Sequence, residues 1–494
     1  MLIAAMVPRL PPPSLTPLVA TLALALVLAL GGCASSAGIQ PSAHVLGPAQ
    51  VGLAGVDTNT TFGADWWSAF DDTTLSGLVE RALAGNPGLK LVQIRIARAE
   101  AAVTGQQANA GPQVNGTLDI TRQQFSANSI YPPPLGGSIR TLGTAQLNAS
   151  WEFDFFGRNR AAIEAAIGAQ RAAQAEAQAA RVVLASQVVR SYVQLGRLQA
   201  QREVAERSLM LHEDTLKLIN QRVLAGLDTA LEQRQGEGAL PETRLQIEQL
   251  DEQISLTRNA LAGLTARPPS DLDGLNAPLR SVRATSLPSP LPADLLGRRA
   301  DIVAARWRIE AASNDVLSAK AAFYPSVNLT AFVGLASIGL DRLVKTTSEQ
   351  YGAGPALRLP IFDAGRLRAN LRIKTADVDA AVESYNNAVV DAVHEAADQI
   401  GSLRSIERQQ NQQAQAQAAA ESSFDLATQR YKAGLATYLT VLNAETNVLA
   451  QRRTAVDLKA RALDGQVALI RALGGGYVPD NTGDVKPARP TLKN

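Results

Sequence analysis

Strict alternation of apolar and polar side chains marks two segments in the first half of this chain as β-strands. From Ala145 to Phe155 every odd-numbered position is apolar, and the even-numbered positions carry Gln, Asn, Ser, Glu and Asp. The segment Val114–Thr121 alternates in the same way, and the Pro- and Gly-rich stretch Tyr131–Gly137 separates the two. A period of two residues is that of a strand with one apolar and one polar face. The sequence therefore predicts a hairpin between residues 114 and 155.

The pattern returns in the second half, with strands predicted from Val327 to Val333 and from Tyr351 to Ile361. Whole motifs return with it. The string GRNRA at 157–161 recurs as GRLRA at 365–369, which is 208 residues later (365 − 157). The residues QR followed by AGL at 221–227 recur at 429–435 with the same offset. A fixed offset over this length indicates two copies of one supersecondary module.

Long helices fill the rest of each copy. After position 157 no proline occurs until Pro241, and a continuous helix over 158–224 would be about 100 Å long at 1.5 Å per residue. Gly226 and Gly434 stand at matching positions and predict tight turns. The predicted returning helices cover 227–264 and 435–473. Each copy thus contains helix, hairpin, long helix, turn and helix; on the helical pattern alone, an ordinary coiled-coil rod is the favoured interpretation.

Two interpretations of the four strands stay open. Alternating strands are common in half-buried sheets of soluble domains. Strands of about 9–11 residues with one apolar and one polar face also fit an outer-membrane barrel, with aromatic side chains near the membrane surface. Four strands cannot close a barrel wide enough for a channel, since small barrels need about eight. If these strands form a pore, several chains must share it.

The N-terminus resembles a lipoprotein signal peptide. A run of apolar residues from Leu18 to Leu30 ends in Leu-Gly-Gly-Cys, with Cys33 as the only cysteine of the chain. The run is too short for a stable membrane span and is typical of a secretory signal. The motif resembles a bacterial lipobox, in which Cys33 receives diacylglycerol and an N-acyl chain. Ala34 follows, as in lipoproteins sent to the outer membrane. The alternative is an incidental cysteine after an ordinary signal peptide.

Composition argues against nucleic acid as a partner and against catalysis. The chain has 47 basic and 45 acidic residues, so its charge is nearly balanced. The three histidines are far apart in sequence, and His394-Glu395 lacks the second histidine of a zinc helix. His212 falls on a heptad position of the long helix and is predicted to pack in a helix seam. We therefore predict neither an enzyme nor a metal site, and no cofactor beyond the lipid on Cys33.

Several motifs together resemble the outer-membrane efflux proteins, the TolC-like channel-tunnels, in their lipoprotein branch. They are LNASWEFDFFGR (147–158), LPADLLGRRADIVAARWRIEAA (291–312), FYPSVNL (323–329), GPALRLPIFDAGRLR (354–368) and QRYKAGLATYLTVLNAE (429–445). The resemblance implies a mainly α fold with a membrane β-barrel. In it a homotrimer shares one twelve-stranded barrel, which a long α-helical tunnel continues into the periplasm.

The same resemblance implies a passive exit duct in the outer membrane. Its partners would be a periplasmic adaptor protein and an inner-membrane proton-driven transporter, and its cargo small molecules. Two alternatives remain: the duct of a protein secretion system, and a structural coiled-coil lipoprotein without a pore.

In this family the helix turns at the far end of the tunnel form an entrance that is closed at rest and docked by the adaptor. The resemblance assigns this tip role to Gly226, Asp228, Arg430, Tyr431, Gly434 and Asn443. The alternative is that such residues only cap helices beside a glycine turn. Relatives often carry constricting carboxylates past the tip glycine, whereas Thr440–Asn443 here has none. Asp228, Glu232 or Glu445 could supply that charge.

The predicted organisation follows from the repeat and the motifs. It comprises a signal peptide (1–32), an acylated linker (33–64), a first efflux repeat (65–266), an inter-repeat linker (267–290), a second repeat (291–474) and a C-terminal tail (475–494).

Overall fold

The computed structural model describes residues 35–52, 63–279 and 298–477. Cys33 and the predicted signal peptide lie outside these residues. The helices are α1 (Thr73–Gly85), α2 (Pro87–Ala110), α3 (Arg158–Leu224), α4 (Ala230–Leu264), α5 (Ala300–Ala321), α6 (Arg366–Lys432) and α7 (Tyr438–Ala472); the strands are β1 (Gln113–Gln124), β2 (Ile139–Phe153), β3 (Ser326–Ile338) and β4 (Glu349–Arg358).

The lengths of the long helices repeat between the two copies. Helices α3 and α6 each have 67 residues, and α4 and α7 each have 35. The long helix predicted over 158–224 coincides with α3. The returning helices begin three residues later than predicted, because Thr229 and Thr437 are extended residues at their N-caps. Pro241 lies inside α4 without ending it.

The four strands form one antiparallel sheet in the order β1-β2-β3-β4. Both predicted hairpins are present, and pairing of β2 with β3 joins them. In one row across the sheet, Leu147 pairs with Val333 and Val333 pairs with Tyr351. All three side chains are exposed. On the opposite face the amide of Gln350 donates to Gln146 at 3.0 Å. The sheet therefore has an exposed apolar face and a polar face, which is the division expected of a barrel wall in lipid.

Two strands end earlier than predicted. Strand β2 stops at Phe153 and β4 at Arg358, whereas alternation predicted them to reach Phe155 and Ile361. The reason is a carboxylate after each strand that caps the next helix. Asp363 follows β4 and accepts the backbone N–H of Leu367 at 2.8 Å. Asp154 accepts the backbone N–H groups of residues 159 and 160 at 3.1 and 2.8 Å. These bonds hold the chain out of the ladder.

Aromatic side chains gather where β2 and β3 meet their helices. The rings of Phe156 and Tyr324 stack with centroids 4.8 Å apart, and Trp151 lies 4.6 Å from Phe153. Phe156 and Tyr324 are both exposed. Such amphipathic clusters suit the boundary between lipid and water, where the sequence predicted an aromatic girdle.

The chain divides into two compact units. Unit 1 comprises residues 1–44, 99–170 and 308–382 and contains the sheet. Its helical core includes Ile39, Val316 and Leu371. The segment before residue 44 is fixed to α6, since Asp379 accepts the backbone N–H groups of Ser42 and Ala43 at 2.8 and 2.9 Å.

Unit 2 comprises residues 45–98, 171–307 and 383–494. Its largest core cluster buries Trp66 and Phe70 from the sequence WWSAFDD (66–72) together with Tyr192 of α3. Asp72 caps α1 by accepting the N–H of Leu75 at 2.9 Å, and it also accepts the hydroxyl of Tyr192 at 3.0 Å. The motif therefore anchors the start of the first copy in this core.

Within the described residues, no helix has the length and apolar character needed to cross a membrane. The same residues hold no group of three or more His, Cys, Asp or Glu side chains placed to bind a metal ion.

Candidate functional site: the paired helix turns

The two long helices, α3 and α6, both end in unit 2 and in the same kind of turn. The N–H of Leu227 donates to the carbonyl of Arg222, and the N–H of Leu435 donates to that of Arg430, both at 2.8 Å. Gly226 and Gly434 have φ of 72° and 73°. These are Schellman motifs, in which glycine takes the left-handed conformation after the last helical turn. Both predicted tip glycines therefore terminate their helices.

The returning helices start differently in the two copies. Thr229 and Glu232 form a capping box, in which Glu232 accepts the N–H of Thr229 at 2.9 Å and Thr229 accepts the N–H of Leu231 at 3.2 Å. At the matching positions of the second copy are Thr437 and Thr440, and Thr437 makes no side-chain cap bond. The first copy is therefore held more firmly at its start.

Asp228 joins the two turns. Its Oδ2 and Oδ1 accept hydrogen bonds from Nε and Nη2 of Arg222 at 2.9 and 3.3 Å. Its Oδ2 also accepts the hydroxyl of Tyr431. The guanidinium of Arg222 lies over the Tyr431 ring, 4.6 Å from the centroid. The three side chains form a closed network, the Asp228 latch, in which the bidentate ion pair is charge-assisted and directional.

The network shifts the pKa of both Asp228 and Tyr431. Burial pushes the pKa of Asp228 up, but hydrogen bonds from Arg222 and Tyr431 outweigh it and hold the pKa below its usual value. Burial, followed by the hydrogen bond to Asp228, raises the pKa of the Tyr431 phenol. At neutral pH Asp228 is therefore an acceptor and Tyr431 a donor, as their bond requires.

The structure brings together only some of the tip residues predicted from sequence. Asp228 and Tyr431 meet, whereas Arg430 and Asn443 are exposed and make no side-chain hydrogen bond or ion pair with the described residues. Arg222 takes the place expected for Arg430. A comparison of the two repeat copies could have identified Arg222 as the partner of Asp228. Arg222 has Asp228 six positions later, whereas Arg430 has Ala436 at the matching distance.

The three carboxylates considered for a constriction are all engaged or buried. Asp228 is paired with Arg222, and Glu232 is bonded to Thr229. Glu445 is only 2% exposed. Each protomer therefore contributes no unengaged, solvent-exposed carboxylate from this set.

Apolar side chains cover the outside of both turns. The leucines at 224, 227, 231, 435 and 439 are all exposed, Leu224 by 89% and Leu435 by 69%. Single exposed leucines are ordinary on a surface, but a cluster at two adjacent turns is typical of a protein contact.

Solved structures with this architecture are outer-membrane channels. The outer membrane protein VceC from Vibrio cholerae is 36% identical, with a TM-score of 0.79 over 84% of this chain and 100% of that one. The fold is that of the channel-tunnels, a membrane β-barrel continued by an α-helical tunnel, as the sequence predicted.

Proteins of similar sequence point to the same class of outer-membrane channel. The multidrug resistance outer membrane protein MdtQ of Escherichia coli O6:H1 is 32% identical over 92% of this chain and 97% of its own. The fusaric acid resistance protein FusA of Burkholderia cepacia is 36% identical over 72% of this chain and 70% of its own. The family described as outer membrane efflux protein matches residues 78–267 and 291–475. The chain belongs to this family of outer-membrane channels, whose members are transporters rather than enzymes.

Proposed function

We propose that this chain is the exit duct of a tripartite efflux pump, formed by a homotrimer. The observation that carries the proposal is the four-stranded sheet. It has an exposed apolar face, and within the described residues β1 and β4 are edge strands. An open sheet with unpaired edges is unstable in lipid, and four strands are too few to close a channel. Pairing of β4 with β1 of the next protomer gives twelve strands and removes every edge.

The relatives support small molecules as cargo. MdtQ is named for multidrug resistance and FusA for fusaric acid resistance. This duct passes its cargo passively, as befits a family of transporters rather than enzymes. Energy enters through an inner-membrane proton-driven transporter.

The Asp228 latch closes the periplasmic entrance at rest. It ties α3 and the turn after it to α6, so that the two helix pairs of one protomer cannot separate until Asp228 loses Arg222 or Tyr431. The latch is buried enough to limit screening by salt, since the side chains of Arg222 and Asp228 are 11% and 9% exposed.

A periplasmic adaptor docks on the exposed leucines around the latch. Burial of such side chains contributes roughly 25 cal/mol per Å² of apolar surface. Their position beside Asp228 lets the partner that buries them also disturb the latch.

Cys33 carries the lipid anchor, a diacylglycerol group and an N-acyl chain. The lipobox supports it, and two or more acyl chains give stable attachment. The structure describes the chain from residue 35 onward, where Arg368 binds the carbonyl of Ser35.

The test is photo-crosslinking in living cells from an unnatural residue at Ala436. Leu256, an exposed position of α4 distant along the helix from the turns, is the control. We expect position 436, but not position 256, to capture an adaptor together with a proton-driven transporter. Capture of the transporter of a protein secretion system would instead favour the secretion duct. Capture of only cell-wall proteins would favour a structural lipoprotein.

A further inference from the structure

Glu445 is a buried carboxylate without a hydrogen bond. It lies on α7 and is 2% exposed, and neither of its oxygens has a hydrogen-bond partner among the described residues. His212 of α3 is 8% exposed, and its Nδ1 lies 3.5 Å from Oε1 of Glu445, likewise without a hydrogen bond. Buried polar groups are nearly always bonded, because an unpaired one loses its hydration without compensation.

Among the described residues no cation offsets the charge of Glu445, whose pKa is shifted by burial alone, whereas one carboxylate acts on His212. From α4, the exposed Glu242 acts on His212. On α7, Tyr438 lies within electrostatic reach of Glu445. From α6, Tyr431 is engaged by Asp228 and packs against Tyr438 with ring centroids 6.1 Å apart. The nearby core is otherwise apolar, with Ile219, Ala427 and Val441.

Burial acts on the two groups in opposite directions. It raises the pKa of Glu445 to about 7 and lowers the pKa of His212. Just below pH 7 the pair therefore holds about one proton, mainly on Glu445. A protonated Glu445 can donate it to Nδ1 of His212, and a small rotation closes the 3.5 Å gap.

We propose that His212 and Glu445 form a one-proton site that makes opening of the channel tip dependent on pH. The proposal rests on the proposed function and adds a regulator to its gate. The site is connected to the latch through neighbouring side chains, since Tyr438 interacts electrostatically with Glu445 and packs against Tyr431, which binds Asp228. Opening that pulls α7 away from α3 exposes both groups to water.

The pH dependence follows from the protons gained or lost on exposure. Exposed Glu445 returns to a pKa near 4.5 and exposed His212 to one near 6.5. Below 6.5, as long as His212 in the closed pair stays neutral and Glu445 in the exposed pair stays ionised, each pair holds one proton, so closure is insensitive to pH. Above 6.5 the exposed pair holds none while the closed pair keeps its proton up to about 7, so rising pH favours opening over this interval. Below 4.5 the exposed pair holds two, so falling pH favours opening.

The stability of the closed state must then change with pH in opposite directions in the two single variants. In Glu445→Gln only His212 titrates, and its folded-state pKa is lowered. The stability of this variant therefore decreases as pH falls below 6.5 and is independent of His212 titration above pH 6.5. In His212→Gln only Glu445 titrates, with a raised pKa, and stability is lost as pH rises from 4.5 to 7. In either variant the equilibrium constant for closure changes at most tenfold per pH unit, because one proton is involved.

The experiment measures melting temperature and single-channel open probability of the purified full-length protein from pH 4 to 8.5. Glu421→Gln is the matched control, because Glu421 pairs with Arg452 at 2.9 Å, which lowers its pKa, opposite to the shift of Glu445. Wild type should melt highest between pH 4.5 and 6.5, and the two variants should slope in opposite directions there.

Parallel melting profiles for wild type, Glu445→Gln and His212→Gln would overturn the one-proton site. A current that depends on pH in the same way in Glu445→Gln as in the wild type would overturn its link to the gate. Absence of current at any pH from both the wild type and the latch variant Asp228→Asn would instead count against the duct, and the melting profiles would still decide whether the proton site exists.

Discussion

The hydroxyl of Tyr431 donates a hydrogen bond to the carboxylate of Asp228, 203 residues earlier in the chain. The bond joins the two copies of the repeated module at their turns. It exists because the copies have diverged. The first copy has Asp228 where the second has Ala436, and the second has Tyr431 where the first has Val223. Duplication supplied two equivalent turns, and complementary substitutions connected them.

Asp228→Asn should open the channel entrance. The substitution removes the charge that binds Arg222, and hydrogen bonds to charged groups contribute about 1.5–3 kcal/mol each. We expect larger single-channel conductance in planar bilayers and greater sensitivity of cells to a large antibiotic. Asp214→Asn is the control, because its carboxylate is 76% exposed and pairs only with Lys217. Equal conductance in the two variants would contradict the latch.

The latch should also persist at mildly acidic pH. The pKa of Asp228 is lowered in the folded protein, so its stabilisation is complete above the ordinary value of 3.8 and is lost as pH falls through the lowered pKa. The Asp228→Asn variant and wild type should therefore differ equally in conductance at pH 7 and pH 5. A difference that disappears by pH 5 would show that Asp228 is not held by Arg222 and Tyr431.

Sequence alone predicted most of the scaffold and only part of the tip. Alternation located the four strands, and the glycine turns located the ends of the long helices, since both are local signals. The pairing of Arg222 with Asp228 was missed because the resemblance directed attention to Arg430. The burial of Glu445 was also missed, because a glutamate on a polar helix is usually solvated and only packing of α3 against α7 shows otherwise.

Leu227→Asp combined with Leu435→Asp should abolish pump function without affecting folding. Both leucines are exposed, by 65% and 69%, so the changes cost little in the protomer but place charge in the adaptor contact. Drug susceptibility should approach that of cells lacking the protein, at normal protein levels. The control is Leu245→Asp, an exposed position in the middle of α4. Retained crosslinking from position 436 in the double variant would rule out docking at these leucines.

Glu395→Gln should destabilise unit 2 by about 2 kcal/mol, since it breaks charged hydrogen bonds to two arginines. Arg299 donates to Glu395 at 3.0 Å, and Arg471 donates to its other oxygen. The side chain of Arg299 is only 12% exposed, so it cannot fully regain water. Asp464→Asn, which breaks the exposed pair with Arg190, should cost less than about 1 kcal/mol. Melting temperatures of the purified proteins test this order, and equal losses would contradict it.

The same network should make stability fall in acid. Burial raises the pKa of Glu395, but hydrogen bonds from Arg471 and Arg299 outweigh it and lower the pKa below 4.5. The contribution of Glu395 is present above 4.5 and is lost as pH falls through the lowered value. The difference in melting temperature between wild type and Glu395→Gln should therefore shrink below pH 4.

Gly334→Ala should impair assembly of the barrel, whereas Gly354→Ala should not. Both glycines lie on the polar face of the sheet. A Cβ at Gly334 would lie 2.7 Å from the Cα of Gln146 and still closer to the carbonyl of Ala145, so β2 and β3 would have to separate. A Cβ at Gly354 meets nothing within 4 Å. Overpacking of this kind costs about 1–3 kcal/mol. The yield of membrane-inserted oligomer on non-denaturing gels measures the effect, and equal yields would contradict the tight approach of β2 to β3.

Cys33→Ser should remove the lipid but leave the protein in the outer membrane. Incorporation of labelled palmitate should be lost, because no other cysteine exists in the chain. Insertion should persist, because the shared barrel exposes its apolar face to lipid independently of the anchor. Density-gradient fractionation of membranes measures this, with Ser36→Ala as the control. Complete loss of Cys33→Ser protein from the outer-membrane fraction would mean that the barrel depends on the lipid. Retained label would mean that Cys33 is not the acylated residue.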